Sequence, residues 1–395
     1  MSKVLFIYER NIPTVSLTYN NFTSEYAKAR GIDASFKCVK SISKKDINNF
    51  DVFFFIRPTD IISKKLATKI RKAGGFIIIF CDDDLMDYPD DFPGIPYRIK
   101  CTKRVLECAN VVLSSSKHFV DKYVSKSFGK RTALINTCVD SNELVAPEEN
   151  IDVIKILYAG SPTHLAMFNE NIKPIFNELV KNFGKRISFT FIGVRPELEE
   201  YEQLTNIEYV ASMPLEEYRN FVKNGHYHIG LAPLFDSEFS KSKYFNKYIE
   251  YTLIGAIGIY SNVEPYSFVI KDGVNGLLVN KKEDWLSKLA LAITNNTLRN
   301  QMINNAQIDI EKNFNKEAIF DELINSIIEL KEYNNTKNKV SYFKLANKIN
   351  YFSHRVFDIM YLLFFYIKHT GISGLKKKIK AHNRDKKSIK DLEEN

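Results

Sequence analysis

Lys241, Ser242, Lys243, Lys247 and Glu250 stand within ten residues of one another, ahead of Gly255 and an Ala-Ile-Gly-Ile-Tyr run that closes at Ser261. Phe245, Ile249 and Leu253 recur every four residues, which predicts a helix over 244–254 with one buried stripe. Lys243, Lys247 and Glu250 then share another face, and Gly255 ends the helix. Lys241 and Ser242 precede the first turn, where free backbone N–H groups and the positive end of the helix dipole favour a phosphate. A diphosphate placed there meets several cations, and Glu250, one turn further in, can accept hydrogen bonds from sugar hydroxyls. The same spacing also fits a solvated helix face whose Lys247 and Glu250 merely pair at i, i+3, worth about 0.2–0.5 kcal/mol.

The elements that must position this set alternate along the chain. Val4-Tyr8, Val52-Ile56 and Phe76-Phe80 read as buried strands, Ile61-Ala73 and Tyr97-Ala109 as helices, and Val111-Ser114 as a further strand. A second alternation begins at Ile154-Tyr158 and continues through Ile187-Ile192, Ile207-Val210 and Ile229-Ala232. Strands alternating with helices imply parallel sheets covered on both faces, an α/β class. The polar stretch 140–152 is the expected linker, giving domains over 1–145 and 153–330 and a tail over 331–395. The strand at Phe76 empties into Asp82, Asp83 and Asp84, three carboxylates tolerable when solvated or useful when something cationic binds them. Arg57 closes the preceding strand. It could hold an acceptor phosphate bidentately or form a salt bridge to the three acids. His118 follows Ser114-Ser-Ser-Lys, where helix capping by Ser116 is an equally good explanation.

From Ile154 to about Leu330 the chain resembles the C-terminal domain of retaining "group 1" glycosyltransferases, family 4. The resemblance is carried by Ile156-Leu-Tyr-Ala-Gly160-Ser161-Pro-Thr163-His164, Val210-Ala-Ser-Met213-Pro, Ile229-Gly-Leu-Ala-Pro233, Lys241 through Glu250 with Gly255, Ser261, Tyr266, Asp272-Gly-Val-Asn-Gly-Leu-Leu-Val279 and Trp285. It implies the GT-B fold, with two Rossmann-like domains facing across a cleft, and ligands at the carboxyl ends of the strands. It also implies a nucleotide diphosphate sugar donor, held by Gly160, Ser161, His164, Met213, Lys241, Ser242, Lys243, Lys247, Glu250 and Tyr266. Glu250 matches the family acid that holds the donor ribose. The acid usually found eight residues earlier is Ser242 here, so sugar recognition departs from the pattern, and Lys241, Lys243 or Lys247 stands in for an absent Arg-Lys pair. On the acceptor side the resemblance points to Arg57, Asp82 and His118, and it makes Asp83, Asp84 and Glu250 the candidate catalytic residues, with Asp83 and Asp84 standing where a His-Asp pair is common. Asp83 would orient the acceptor or stabilise positive charge on the sugar ring; a loop acid capping the next helix is the alternative.

Charge and composition narrow the partners. The net charge of +9 lies wholly in the tail: residues 337–395 carry 14 lysines and arginines against 5 acids, leaving 42 of each elsewhere. With a neutral body and no RNA-binding signature, nucleic acid is not an expected partner. Five cysteines without metal-ligand spacing suit a reducing compartment, and the N-terminal apolar run is too short for a signal peptide. Val356 to Ile367 is apolar except for Asp358, too short to span a bilayer and flanked by lysines. Residues 343–380 therefore read as an in-plane helix for an anionic membrane surface, or as a helix packed back on the body before a solvated basic end. The expectation is a cytoplasmic enzyme at the inner face of the cell membrane, needing no metal or other cofactor, that glycosylates a surface polysaccharide, glycolipid or lipid-linked acceptor. Two alternatives stand beside it: a metal-dependent GT-A-like transferase using Asp82 and Asp84, and a non-catalytic GT-B-like subunit of a membrane glycosylation complex.

Overall fold

The computed structural model describes residues 2–9, 14–15, 28–86, 96–122, 129–148, 151–160 and 164–333, together with 356–357, 359–365, 367–368 and 371–372. The chain forms two compact units, one comprising residues 1–134 and 323–395 and the other residues 135–322. The division thus falls after Leu134, ahead of the polar stretch 140–152, and the chain returns to the first unit at Leu323.

The first unit holds one parallel sheet in the order β2-β1-β3-β4-β5-β6. Its strands are β1 (Lys3–Tyr8), β2 (Asp33–Cys38), β3 (Val52–Ile56), β4 (Phe76–Cys81), β5 (Val111–Ser114) and β6 (Arg131–Leu134). All five residues of β3 are buried, as a central parallel strand with both faces covered requires. The helix Ile61–Lys72 starts at Asp60, whose carboxylate accepts from the backbone N–H of Ile62 and Ser63, and it buries Ile62, Leu66 and Ile70 on one stripe. These side chains join Phe53, Phe55, Ile77 and Ile79 in a single core.

The second unit repeats the plan in the order β12-β11-β10-β7-β8-β9. Here β7 is Ile154–Ala159, β8 Ile187–Ile192, β9 Asn206–Val210, β10 Ile229–Ala232, β11 Ile257–Ser261 and β12 Leu277–Val279. All five strand pairings are parallel. The helix Asn246–Leu253 leads into β11 through Gly255 at φ +70°, where an added Cβ would stand 2.7 Å from the Val145 carbonyl oxygen, so only glycine fits. Tyr251 on that helix donates to the Leu231 carbonyl at 2.7 Å, fixing the helix against β10. Among the described residues no helix is long and apolar enough to cross a membrane.

Candidate functional site

In the second unit, the chemistry-bearing residues converge on the helix Asn246–Leu253. Lys247 and Glu250, one turn apart, meet with Nζ 2.6 Å from Oε2. Tyr218, from the helix Leu215–Asn224, donates its hydroxyl to the same Oε2 at 3.1 Å and accepts from Lys247 at 3.3 Å. The ammonium also lies over the Tyr218 and Tyr251 rings, 5.6 and 5.7 Å from their centroids. Burial alone favours the neutral amine, but the Glu250 carboxylate outweighs it and holds the Lys247 pKa above the usual lysine range. Burial, reinforced by Glu250, likewise pushes the Tyr218 phenol well above its ordinary value, so it remains a donor. Among the described residues Oε1 of Glu250 takes no hydrogen bond, and a third of the side chain is exposed (34%). The triad therefore pins one carboxylate oxygen and leaves the other unbonded among the described residues.

The segment before that helix is built differently from the expectation. A turn of helix over Glu238–Lys241, capped by Ser237, precedes the main helix, which begins only at Asn246. Ser242 is fully buried, and its hydroxyl donates to the Glu238 carbonyl at 3.1 Å. Ser242 thus closes the turn. Lys241 sits 3.2 Å from Asp236 and 3.4 Å from Glu238, while the Lys243 ammonium lies 4.8 Å from the Phe239 ring centroid.

Around the carboxyl edge of this sheet stand the other expected positions. Gly160 follows β7 and donates to the Ile192 carbonyl at 3.0 Å. An added Cβ there would come 2.7 Å from the imidazole of His164, so the two residues are in direct apposition. His164 opens the helix His164–Asn171 and accepts from the Tyr158 hydroxyl through its carbonyl at 2.6 Å. Met213 is half-buried and packs on the core beside that edge. Tyr266 is buried with its ring 4.8 Å from that of Tyr260, near enough to Lys247 and Glu250 to feel both charges. Ser161 and Thr163 lie outside the described residues.

The first unit gathers its own polar cluster at the carboxyl ends of β1, β3 and β4. Arg57 reaches Asp82 at 2.8 Å and Asp83 at 3.0 Å through one nitrogen, the salt bridge weighed from the sequence. Its backbone is at φ +46°, a strained left-handed conformation for a side-chain-bearing residue. Thr14 donates to the other oxygen of Asp82 at 2.6 Å. Burial, more than Arg57 can offset, raises the Asp82 pKa. Asp84 differs from its two neighbours: it is fully buried, accepts from the Met86 N–H at 2.9 Å and lies 3.5 Å from Lys122. His118 falls in the turn Lys117–Phe119, which Ser116 caps as the sequence allowed.

Sequence reasoning missed Tyr218 and a second ion pair, in which Arg98 grips Glu9 with two nitrogens at 2.8 and 3.0 Å while Thr59 bridges both. For Glu9 a signal existed, since it is the first polar residue after an apolar strand; Tyr218 had none, being one of 21 tyrosines in an ordinary amphipathic helix.

No protein-family model matches the chain, and no curated sequence does. Solved structures do match in fold. HepE of Anabaena, solved with UDP and glucose, has a TM-score of 0.61 at 10% identity, over 83% of this chain and 100% of that one. Sucrose-phosphate synthase of Thermosynechococcus elongatus gives 0.61 at 12%, over 84% and 99%. The lipopolysaccharide outer core galactosyltransferase WaaB gives 0.56 at 15%, over 83% and 99%. What is shared at such identities is the architecture, two parallel six-stranded sheets flanked by helices, and it is that of GT-B glycosyltransferases. This sets aside the GT-A-like alternative built on Asp82 and Asp84.

Proposed function

We propose that the chain is a nucleotide-sugar-dependent glycosyltransferase that transfers its sugar, with retention at the anomeric carbon, to a glycan or lipid-linked acceptor. The observation that carries this reading is Glu250, held on one oxygen by Lys247 and Tyr218 and available on the other, at the edge of a parallel sheet where such folds bind nucleotides. Support comes from the fold it shares with HepE, solved with UDP and glucose, and with the galactosyltransferase WaaB.

In this reading Glu250 accepts from the ribose hydroxyls. Lys241, Lys243 and His164 face the diphosphate, the backbone near Met213 meets the base, and Tyr266 borders the sugar. The bond from the anomeric carbon to the diphosphate oxygen breaks while the acceptor oxygen bonds to the same carbon. The leaving phosphate takes the acceptor proton, so neither a carboxylate nucleophile nor a metal is called for. In the first unit Asp83, steadied by Arg57 with Asp82 beside it, is the group assigned to orient the acceptor, and His118 is a second acceptor-side candidate. While Phe357 meets the Tyr97 ring at 5.7 Å between centroids, Met360, Phe364 and Ile367 in the tail are exposed at spacings that place them on one helix face. With the flanking lysines they would lie on an anionic membrane surface, here taken as the inner face of the cell membrane.

The test is thermal melting with UDP, GDP, CDP and dTDP in EDTA, for the wild type and Glu250→Ala. Ligand at a hundred times its Kd stabilises by about 2.7 kcal/mol, or about 5–10 °C for a domain of this size. One nucleotide should stabilise the wild type alone. A shift that appears only with Mn²⁺ would refute metal independence. Silence in every mixture would refute the donor site and favour a non-catalytic subunit, the reading that the loss of the family acid at Ser242 allows.

A further inference from the structure

A second ligand site is built into the same unit, at the opposite ends of its strands. A cavity of about 1050 Å³ opens over the amino-terminal parts of β7, β8 and β9, at the upper end of the ~300–1,000 Å³ typical of small-molecule sites. Its floor consists of two rungs running across the sheet. Lys155 pairs in register with Ser188 and Ser188 with Asn206, and two residues on, Thr190 pairs with Glu208. The alternate residues, Ile156, Phe189 and Phe191, point into the apolar core on the other face. Parallel strands are ordinarily apolar on both faces because helices cover both. Here one face turns polar and stays open at the edge strand β9, so the sequence is not asking for another apolar element to close it.

The wall is one stripe of the helix Leu215–Asn224: Glu217, Asn220, Phe221 and Asn224, at i, i+3, i+4 and i+7. Three properties then select the ligand. Amide and carboxylate groups on Asn206, Asn220, Asn224 and Glu208 each offer paired acceptors or donors to neighbouring hydroxyls. The Phe221 and Tyr227 rings supply an apolar surface for C–H faces. The charge disfavours anions: Glu202, Glu208 and Glu217 line the space against Lys155, whose ammonium is already bonded to the Gly225 carbonyl at 3.1 Å. A neutral oligosaccharide is rich in hydroxyls, partly apolar and not anionic, and a polycation is the competitor that the test must exclude.

We propose that this groove holds a neutral oligosaccharide segment of the acceptor, away from the donor site, and so keeps a growing glycan on the enzyme between transfers. The ligand class rests on the glycosyltransferase reading; the geometry does not. The experiment titrates the full chain, without nucleotide, with maltohexaose, cellohexaose and chitohexaose, followed by saturation-transfer NMR. A heparin-derived hexasaccharide and spermine serve as anionic and cationic competitors. Asn206→Arg and Asn220→Arg alter exposed side chains only, and their melting temperatures check the fold. The expected result is millimolar or tighter binding of at least one neutral hexasaccharide. That binding should fall at least about tenfold in both arginine variants, remain unchanged in Glu250→Ala and resist both competitors. No binding of any neutral hexasaccharide, binding indifferent to both arginines, or displacement by heparin hexasaccharide or spermine would each overturn the proposal. Oligosaccharide binding without any nucleotide-induced melting shift would leave the groove standing and remove the donor site; the reverse pattern would remove the groove alone.

Discussion

Replacing Glu250 by glutamine keeps the shape of the side chain and removes its charge, which isolates what the carboxylate does. Lys247 then sits beside Tyr218 and Tyr251 with its side chain 21% exposed and its ammonium left without the Glu250 carboxylate. An exposed pair is worth ~0–1 kcal/mol and a buried one costs ~3–5 kcal/mol to break. At this intermediate burial the loss should be about 2 kcal/mol, a fall of about 4–8 °C in melting temperature. Donor binding should suffer separately. Charge-assisted hydrogen bonds are about twice as strong as neutral ones, so two ribose contacts lose about 2 kcal/mol together, or about thirtyfold in Kd. Calorimetric titration with the nucleoside diphosphate that best stabilises the wild type measures the second effect, and thermal melting the first. Lys247→Met combined with Glu250→Gln should be more stable than Glu250→Gln alone, because the stranded cation is gone. If Glu250→Gln matches the wild type in both melting and affinity, the pair is an ordinary surface contact and the reasoning fails.

Tyr218→Phe deletes the bridge to Glu250 and Lys247, each a bond worth about 1 kcal/mol, and should weaken nucleotide binding about three- to tenfold in the same titration while circular dichroism stays unchanged. Gly255→Ala forces a left-handed alanine against the Val145 carbonyl and should cost about 2 kcal/mol or more, read as a lower midpoint in urea. His228 is buried, accepts from the Lys155 N–H and has its pKa lowered to about 4 by burial. The unfolded chain, titrating near 6.5, therefore takes up the proton first, and this contribution to stability is lost as pH falls from about 6.5 towards 4. Between pH 7 and pH 5 it amounts to about 2 kcal/mol, so His228→Asn, which keeps an acceptor for Lys155, should flatten the melting-temperature profile over that window; equal slopes would refute the assignment.

Much of the architecture was legible because its signals are local. Val52–Ile56 is buried throughout and could only be a central strand, and the strands read at Ile187–Ile192 and Ile229–Ala232 have the bounds expected of them. Lys247 and Glu250 were within reach for the same reason: helical periodicity sets their apposition without help from the rest of the chain. The burial of Ser242 was not legible, because it follows from a turn over Glu238–Lys241 that no periodicity announces. The burial of Asp84 was hidden in a similar way, since three consecutive acids look alike in sequence and differ only in which of them the loop turns inward.

What the sequence alone determined is therefore what neighbours along the chain dictate: two alternating α/β blocks, a glycine where the backbone must turn left-handed, and an acid one helical turn from a lysine. Only the tertiary structure decided that Tyr218, 32 residues from Glu250, bonds to the same carboxylate oxygen as Lys247. It also decided that Lys155, Ser188 and Asn206 stand side by side on an open face. Those contacts are set by the order and register of parallel strands, which depend on how crossover helices pack over the sheet, and no periodicity within a single segment records that.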